Sequence, residues 1–466
     1  MQRPRRTAWG EGPGSPQEEG SGATWGSPPA QEEEEEEEGA RAANEKEEEE
    51  EPLLRGIFQI GKQSCDVVLS PQRLSWRPIQ PESPRGLPNR PKSLKVFVNP
   101  TSHRKEATHI YYEQVAPLFK LADIRTDVTV TEYEGHTLAV LEECDLTSFH
   151  GVVCVGGDGT ASEVAHGLLL RAQMDVGKDC DDMFEPARAQ IPLGIIPAGS
   201  TNILAHTLNG IQHVLTATLH IIMGHLQPVD MCSFSSPTKL LRFGFSCMFG
   251  FGSRTLALAE KHRWMPSNQR KDFAVIKTLA RLKPEECELS FLPSKCLQHV
   301  VEENGRKQER RKHESSDRWQ KIQGHFLNVS IMAIPCLCSM APRGLAPNTR
   351  LDDGSIALIV VRNTSRPEFV KHLKRYSSVK NQFNFPFIET YVVEEVKVHI
   401  RTETEHATGD DLNPIDSGKK NYPWNIDGDL LAWPSKVHIR VHPQLITLYG
   451  ENVNAVDNPK ESCSCL

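Results

Sequence analysis

Residues 152–160 read Val-Val-Cys-Val-Gly-Gly-Asp-Gly-Thr, an apolar run followed by a glycine turn that contains one carboxylate. The apolar run predicts a buried parallel strand, and the segment 161–171 predicts a helix. Glycines let a backbone approach a ligand closely, and the N–H groups at a helix start attract an anion. Two roles are open to Asp158: holding Mg²⁺, or accepting a proton from an attacking hydroxyl. The alternative is a strand-to-helix turn with an aspartate cap that needs no ligand.

A second segment, 191–202, repeats this arrangement with the sequence Ile-Pro-Leu-Gly-Ile-Ile-Pro-Ala-Gly-Ser-Thr-Asn. It is again an apolar strand, a turn of small residues and the start of a helix. Two such turns at the carboxyl ends of neighbouring strands form a crevice that suits a nucleotide. The pair therefore favours a nucleotide-phosphate site over two unrelated turns.

The charge of the chain is unevenly distributed. The first 52 of its 466 residues contain sixteen Glu against five Lys and Arg, whereas the remainder has 48 Lys and Arg against 45 Asp and Glu. The 1–52 segment has few large apolar side chains, so it cannot repay the entropy of ordering. We expect a disordered acidic tail in front of a faintly basic folded part of two or three domains.

The twelve cysteines show no paired framework, and the chain start has no secretory apolar region. No apolar run approaches the roughly 20 residues that span a bilayer. We therefore expect reduced thiols and a location in the cytosol or nucleus.

The order of the predicted elements divides the chain into five parts. Residues 53–91 hold three short strand-like runs and a linker, 92–215 alternate strands and helices, and 216–450 are rich in strands. An α/β nucleotide lobe with a parallel sheet, followed by an all-β lobe, is the predicted fold class. The segments 1–52 and 451–466 are predicted to be flexible ends.

Several blocks resemble one family, the diacylglycerol kinase catalytic superfamily, which also contains sphingosine and ceramide kinases. They are Asn99-Pro100, 156–164 and 194–201, and Asn-Ile-Asp-Gly-Asp at 425–429 resembles the closing acidic motif of that family. Further segments, such as 342–347, resemble its ceramide kinase branch. The strands in 53–79 resemble only the first strands of a pleckstrin-homology domain, so phosphoinositide targeting through them is not assumed.

This resemblance implies a Rossmann-like lobe that binds ATP with Mg²⁺, a β-sandwich lobe that holds a lipid, and a site in the cleft between them. Asp158 would be the catalytic base, and Asp427 and Asp429 the metal ligands. The implied nucleotide-binding residues are Asn99, Pro100, Thr101, Thr131, Glu132, Gly156, Gly157, Gly159, Thr160, Glu163, Gly199, Ser200, Thr201, Asp427, Gly428 and Asp429.

The first nucleotide loop departs from the family. Active relatives follow Asn-Pro with a glycine pair, whereas this chain has Thr101-Ser102-His103-Arg104. Side chains therefore stand where close backbone approach is needed, which favours weakened ATP binding. Phosphate binding by Ser102 and Arg104 is the alternative. The closing motif is also one methylene shorter, Asp-Gly-Asp instead of Asp-Gly-Glu.

Arg254 is the second departure. Alignment on 260–264 puts it where lipid kinases of this branch carry an acidic residue for the head group of the substrate. A donor-only cation should bind neutral ceramide poorly and would suit an anionic head group better. The alternative is that Arg254 faces solvent.

Two functions are therefore predicted, and the sequence does not decide between them. One is an ATP- and Mg²⁺-dependent lipid kinase, for which ceramide is a disfavoured substrate. The other is a lipid-binding or scaffold protein of the same fold with weak or no catalysis. The expected partner is a lipid with a hydroxyl or anionic head group, reached by peripheral contact with ER- or Golgi-type membranes. The basic run 306–312 leaves a nuclear pool open, and no nucleic-acid-binding module is predicted.

Overall fold

A computed structural model describes most of the chain from Leu54 to Gly450, and it divides into two compact units, Met1–Ser83 and Pro84–Leu466. The predicted tail 1–52 and the end 451–466 lie outside the described residues. The described ranges are 54–60, 63–69, 74–78, 89–102, 105–178, 185–294, 319–378, 381–401 and 422–450.

The first unit contains the three strands that the sequence predicts. They are β1 (Leu54–Ile60), β2 (Gln63–Leu69) and β3 (Leu74–Pro78), paired antiparallel in the order β1-β2-β3.

The second unit begins with four parallel strands in the spatial order β7-β6-β4-β5. Every residue of β4, β6 and β7 is buried, as expected for strands with helices on both faces. The four strands are β4 (Ser93–Val98), β5 (Arg125–Val130), β6 (Gly151–Gly156) and β7 (Leu193–Pro197).

Helices connect these strands. The stretch 107–121 is continuously helical, and its middle, Tyr111–Val115, is a π-helical turn. The α-helices of this part are α1 (Ala107–Ile110), α2 (Ala116–Leu121), α3 (His136–Glu143), α4 (Asp158–Asp175), α5 (Ile203–Asn209) and α6 (Val214–Met223), and Leu146–Ser148 is a short 3₁₀ helix.

The later part of the unit is mainly antiparallel. Its strands are β8 (Leu226–Ser235), β9 (Leu240–Gly244), β10 (Ser246–Gly250), β11 (Glu285–Pro293), β12 (Gln320–Met332), β13 (Ile356–Arg362), β14 (Ile388–Ile400), β15 (Tyr422–Ile426), β16 (Asp429–Trp433) and β17 (Lys436–Tyr449). Its helices are α7 (Phe251–Lys261), α8 (Ser267–Ala280) and α9 (Arg366–Arg375).

One 14-stranded sheet joins the parallel and antiparallel parts. The last strand, β17, pairs with β8 and β14 and makes a parallel contact with β7 at Leu448 and Leu193. The two predicted lobes are therefore connected through a continuous sheet. The boundary at residue 215 remains a prediction.

The chain is extended on both sides of Phe245, and the break at this residue separates β9 from β10. The break has a polar cause, because the N–H groups of Phe245 and Ser246 both turn to the Asp427 carboxylate. None of the helices in the described ranges is both long and apolar enough to cross a membrane.

Candidate functional site

The candidate site lies at the carboxyl edge of the parallel strands. Asn99 follows β4 and donates its N–H to the carbonyl of Val155 on β6, and Ala198 after β7 donates to the carbonyl of Gly156. Thr131 after β5 donates to the carbonyl of Val98. The turns that follow these strands are therefore side by side, as the sequence predicts for a crevice of this type.

The two glycine turns touch each other through their backbones. A Cβ atom added to Gly199 would lie 2.4 Å from the Cα of Gly157. No side chain fits there without moving one turn. Glycine at both positions is therefore required by the contact between the turns as well as by any ligand.

The second turn is closed by the side chain of Asn202. Its Oδ1 accepts the N–H of Gly199 at 2.7 Å, and its Nδ2 donates to the Gly199 carbonyl at 3.0 Å. Asn202 itself adopts a left-handed conformation with φ of 54°. The Gly199 N–H is therefore engaged within the protein, and Ser200 and Thr201 form the exposed end of this turn.

In the first loop Asn99 is held by its neighbours. Its Nδ2 donates to Oγ1 of Thr160 at 2.9 Å, and its Oδ1 accepts both the N–H and the hydroxyl of Thr101. Thr101 thus fills the acceptor of Asn99. Asn99, Thr101 and Thr160 lie close together, and their side chains form hydrogen bonds with one another. Their predicted contacts with a nucleotide remain predictions.

Asp158 starts α4 and faces the start of α5. Its Oδ1 accepts the N–H of Leu204 at 3.0 Å. Burial raises the pKa of Asp158 to about 6, and the N–H groups of Leu204 and Ile203 reduce that rise. A carboxylate with this pKa is deprotonated at neutral pH and still basic enough to accept a proton, which suits the predicted role of a general base.

Asp429 lies against the first glycine turn. A Cβ added to Gly159 would be 2.2 Å from Oδ1 of Asp429, so only glycine allows this approach. The other carboxylate oxygen accepts a hydrogen bond of 3.0 Å from Arg242 on β9. Asp429 is thus brought to the predicted site, but as half of an ion pair.

Arg242 was not identified by the sequence analysis. Its guanidinium is mostly buried, with 12% of the side chain exposed, and it also lies 3.4 Å from the Ser162 hydroxyl. Glu163 is close enough for the charges of Asp429 and Arg242 to act on it, and burial raises its pKa. Arg242 therefore neutralises a pair of acids, Asp429 and Glu163, beside the first turn.

Asp427 occupies the tip of the hairpin between β15 and β16. Asp427 and Gly428 have φ of 48° and 89°, the two positive values of a type I′ turn. The Asp-Gly pair was a local signal for this hairpin that the sequence analysis did not use.

The Asp427 carboxylate is fully engaged within the protein. One oxygen accepts from the N–H of Phe245 and the hydroxyl of Ser162, and the other from the N–H and hydroxyl of Ser246. Four donors at 2.7–2.9 Å fill its acceptor positions. The predicted role of Asp427 as a metal ligand therefore does not fit this geometry. It instead fixes the hairpin that carries Asp429.

The fit to Mg²⁺ rests on Asp429 alone among the predicted ligands. Within the described ranges no three His, Cys, Asp or Glu side chains are grouped so that they could hold a metal by themselves. Mg²⁺ in kinases usually takes only one or two carboxylates together with substrate phosphates and water. Oδ1 of Asp429, which does not bind Arg242, meets that requirement.

Lys271 on α8 is a second residue that the sequence analysis did not find. Its Nζ donates to the carbonyl of Ser200 at 3.1 Å and to Oγ1 of Thr201 at 3.0 Å. Burial and the neighbouring Arg270 lower its pKa, whereas Asp158 raises it. The ammonium group of Lys271 therefore contacts the second turn and interacts electrostatically with Asp158, the predicted base.

Arg254 does not occupy a free head-group site. Its guanidinium donates to the carboxylate of Glu285 and to the carbonyl of Lys283. Arg254 is therefore neither the free anion receptor nor the solvent-facing residue that the sequence predicts. The carboxylate of Glu285 neutralises the charge of Arg254. Arg254 therefore does not support the predicted preference for an anionic head group.

The remaining predicted residues have backbone or peripheral positions. Glu132 donates its N–H to Nδ1 of His136, and Gly156 packs against the Thr160 side chain. Pro100 and Gly428 belong to the turns already described. Nucleotide contacts for these residues remain predictions.

Comparison with known proteins agrees with this architecture. Residues 93–234 match the family model of the diacylglycerol kinase catalytic domain, and residues 245–466 match that of the ceramide kinase C-terminal domain. A diacylglycerol kinase structure from Bacillus anthracis str. Sterne superimposes with a TM-score of 0.50 at 16% identity, covering 78% of this chain and 98% of that chain. The likeness shows a shared fold.

Two human relatives are more similar in sequence. The human ceramide kinase-like protein is 52% identical over 85% of this chain and 90% of its own length. Human ceramide kinase is 33% identical over 83% of this chain and 78% of its own length. Both similarities extend over the parallel strands and the antiparallel part together.

Proposed function

The chain belongs to the ceramide kinase family, within the diacylglycerol kinase catalytic superfamily, and we propose that it transfers the terminal phosphoryl group of ATP to the hydroxyl of a lipid. The observation that carries this proposal is the position of Asp158. It belongs to the first glycine turn and faces the helix that follows the second, with one carboxylate oxygen bound at the start of α5 and a pKa raised to about 6.

In this proposal Asp158 accepts the proton of the lipid hydroxyl as its oxygen attacks the phosphorus. A lipid alcohol is a weak nucleophile until it is hydrogen-bonded to such a base, and base catalysis typically contributes about 10²–10⁴-fold in rate. The N–H groups of residues 203 and 204 hold the carboxylate in place. The rest of the catalysis is positioning and charge neutralisation.

The triphosphate would lie over the two turns, where Lys271 and Thr201 offer donors. Asp429 would hold Mg²⁺, which neutralises charge on the transferred phosphate when bound. Arg242 sets the orientation of Asp429 by binding its second oxygen. In this proposal Lys271 binds phosphate, Asp429 binds the metal, and Arg242 orients Asp429.

We propose a substrate other than ceramide. The family resemblance implies an acidic residue for the head group at the position of Arg254, and here that position is a cation paired with Glu285. It therefore has no acceptor for the amide and hydroxyl donors of ceramide.

We propose that the lipid is reached by peripheral contact with a membrane of the ER or Golgi type. Trp264, between α7 and α8, is 81% exposed, and Ile276 on α8 is 67% exposed. Both belong to the segment formed by α7, α8 and their connection, which also carries Lys271. Lys271 contacts the second glycine turn. An apolar tip beside basic residues is suited to an anionic membrane surface.

The test compares Asp158→Asn with Asp145→Asn. Asp145 is an exposed carboxylate that caps a 3₁₀ helix, so its variant controls for the loss of one charge. We expect Mg·ATP to raise the melting temperature of all three proteins, and labelled phosphate to reach a lipid fraction only with wild type and the control. A wild type that Mg·ATP does not stabilise would end the proposal.

A second function, lipid binding without catalysis, is favoured by two specific contacts. Thr101 fills the acceptor of Asn99 in the first loop, and Arg242 occupies one oxygen of Asp429. Both contacts remove groups that a nucleotide or its metal would use. Nucleotide-dependent stabilisation without phosphate transfer to any lipid of a broad panel would select this function.

A further inference from the structure

A pocket of about 550 Å³ lies on a face of the antiparallel sheet, over β11, β14, β17 and β8. Along β8, Ser233 and Ser235 line this pocket, whereas Phe234 points to the other face of the sheet. Phe234 packs beside Gly244, the residue that also contacts the Asp427 carboxylate. The pocket and the hairpin of the candidate site therefore lie on opposite faces of β8.

Lysine and histidine side chains line the floor of this pocket. Lys397 on β14 is the cross-strand partner of His438 on β17, and His399 is the partner of Lys436. Successive side chains in a strand alternate between faces, so these four residues share one face. Each of the two cross-strand pairs contains one lysine, so two ammonium groups lie on this face.

The carboxylates near this face already form ion pairs with other basic residues. Glu395 accepts from His438 at 3.0 Å and from Arg440 at 3.3 Å, and Glu288, the one acid that lines the pocket, pairs with Lys321 and Arg401. Lys397 lies over the ring of Trp319, 4.2 Å from its centroid, and its charge also acts on Glu395. Its ammonium group is thus stabilised without losing its charge.

Two further lysines keep an uncompensated charge. Lys436 on β17 and Lys239 beside the turn between β8 and β9 are exposed, and neither has an ion-pair partner in the part of the chain that the structure describes. The hydroxyls of Ser290 and Thr238 line the same pocket. Ammonium groups surrounded by hydroxyl donors form the usual environment of a bound phosphate.

We propose that this pocket binds a phosphate-bearing small molecule, as an anion site separate from the nucleotide crevice. Its volume is within the range of about 300–1,000 Å³ that small-molecule sites occupy, and it exceeds what a bare phosphate ion would fill. The ligand is therefore a phosphomonoester on an organic group. It is either free in solution or the head group of a lipid.

Lysine footprinting of the full chain tests this site directly. Glycerol 3-phosphate is the soluble probe. Phosphatidic acid in phosphatidylcholine vesicles presents the same phosphomonoester on a membrane, with pure phosphatidylcholine vesicles as the blank. The acetylation rates of Lys239, Lys397 and Lys436 are measured by mass spectrometry relative to Lys374, an exposed lysine on α9. We expect several-fold protection of the three pocket lysines, with Lys374 unchanged.

The pattern of protection identifies the source of the phosphate. Protection by glycerol 3-phosphate supports a soluble ligand, and protection by the phosphatidic acid vesicles alone supports a lipid head group. No protection by either probe overturns the proposal. Pocket lysines that are already unreactive in the free protein, and that neither probe affects, also overturn it, because the protein itself would then fill the pocket.

A pair of variants gives an independent measurement. Lys397→Glu combined with Lys436→Glu should weaken the binding of the probe that protects by at least about tenfold, since each lost charge-assisted hydrogen bond contributes about 1.5–3 kcal/mol. Lys374→Glu, with the same change of charge type at a distant surface, should bind like wild type. Equal weakening by both variants would reveal a non-specific charge effect and refute the site. Nucleotide-dependent stabilisation should be the same in all three proteins.

Discussion

Lys271 on α8 donates from Nζ to Oγ1 of Thr201 and to the carbonyl of Ser200, and so ties a helix of the later, antiparallel part to the second glycine turn. The first loop lacks the glycine pair of active relatives, and its Asn99 acceptor is filled by Thr101. In the proposed reaction, Lys271 is therefore the cation that contributes most to holding the nucleotide phosphates.

Lys271→Met should weaken ATP binding by about 10- to 100-fold, because hydrogen bonds to charged groups contribute about 1.5–3 kcal/mol. Lys271→Arg should recover part of the affinity, since it restores the charge with a different shape. Titration calorimetry with Mg·ATP measures both. The control is Lys277→Met on the same helix, whose ammonium lies over the Phe273 ring and does not reach the turn. Equal losses in Lys277→Met and Lys271→Met would rule out a phosphate contact.

Asp158→Asn should stabilise the folded protein at pH 7.5 and have little effect at pH 4. Burial raises the pKa of Asp158 to about 6, so in the native state the ionised form carries a free-energy cost at neutral pH. As the pH falls through 6 toward the ordinary value near 4, the native carboxylate takes up its proton first and the cost disappears. The shift of about two pKa units corresponds to about 3 kcal/mol at most.

Urea denaturation at the two pH values measures this difference. The control is Asp145→Asn, because hydrogen bonds from Thr147 lower the pKa of Asp145 instead of raising it. It should bring no gain in stability at pH 7.5. A gain for Asp158→Asn that is the same at pH 4 would show that the buried charge is not its cause. In an active enzyme, the rate with wild type should also fall as the pH drops below about 6.

The two glycine turns could be predicted from the sequence because each is a local feature. An apolar run, small residues and a helical segment follow one another within about twenty residues around Asp158, and strand, turn and helix formed as expected. The sequence also predicts that the two turns lie at one edge of the sheet, because parallel strands place their carboxyl ends together, and the structure adds the contact between Gly157 and Gly199. The local pattern thus fixed both the crevice and its central carboxylate.

Arg242 and Lys271, the two basic residues beside the glycine turns, could not be predicted in the same way. Arg242 and Asp429 are 187 residues apart, and Lys271 and Thr201 are 70 apart. Neither basic residue belongs to a pattern with a period or a motif, and each acquires its partner only when β9, α8 and the β15–β16 hairpin pack. The motif around Asp427 likewise does not reveal that four protein donors bind its carboxylate, because Ser162, Phe245 and Ser246 are distant in the sequence.

Arg242→Met should destabilise the protein more than Asp429→Asn does. Loss of the guanidinium leaves Asp429 and the half-buried Glu163 without a counter-charge, whereas loss of the Asp429 charge leaves Arg242 with Glu163 and Ser162. Removing one partner of a buried pair costs up to about 3–5 kcal/mol, and the partial exposure of Asp429 reduces this figure. A double-mutant cycle by urea denaturation should give a coupling of about 1 kcal/mol or more. Additive effects of the two changes would show that the ion pair contributes nothing.

Arg254→Asp should not convert the protein into a ceramide kinase, because the side chain it replaces lies in an ion pair with Glu285 and not at a vacant head-group site. The change instead puts two partly buried carboxylates together. We expect a loss of about 1–3 kcal/mol in the free energy of unfolding, moderated by the partial exposure of both groups. The exchange of charges, Arg254→Asp with Glu285→Arg, should recover most of that loss, since it restores the pair in reverse. Thermal denaturation measures the stabilities, and labelled ATP with ceramide measures the activity. Phosphorylation of ceramide by Arg254→Asp alone, with its stability unchanged, would return Arg254 to the lipid site and remove the structural role that its contact with Glu285 assigns to it.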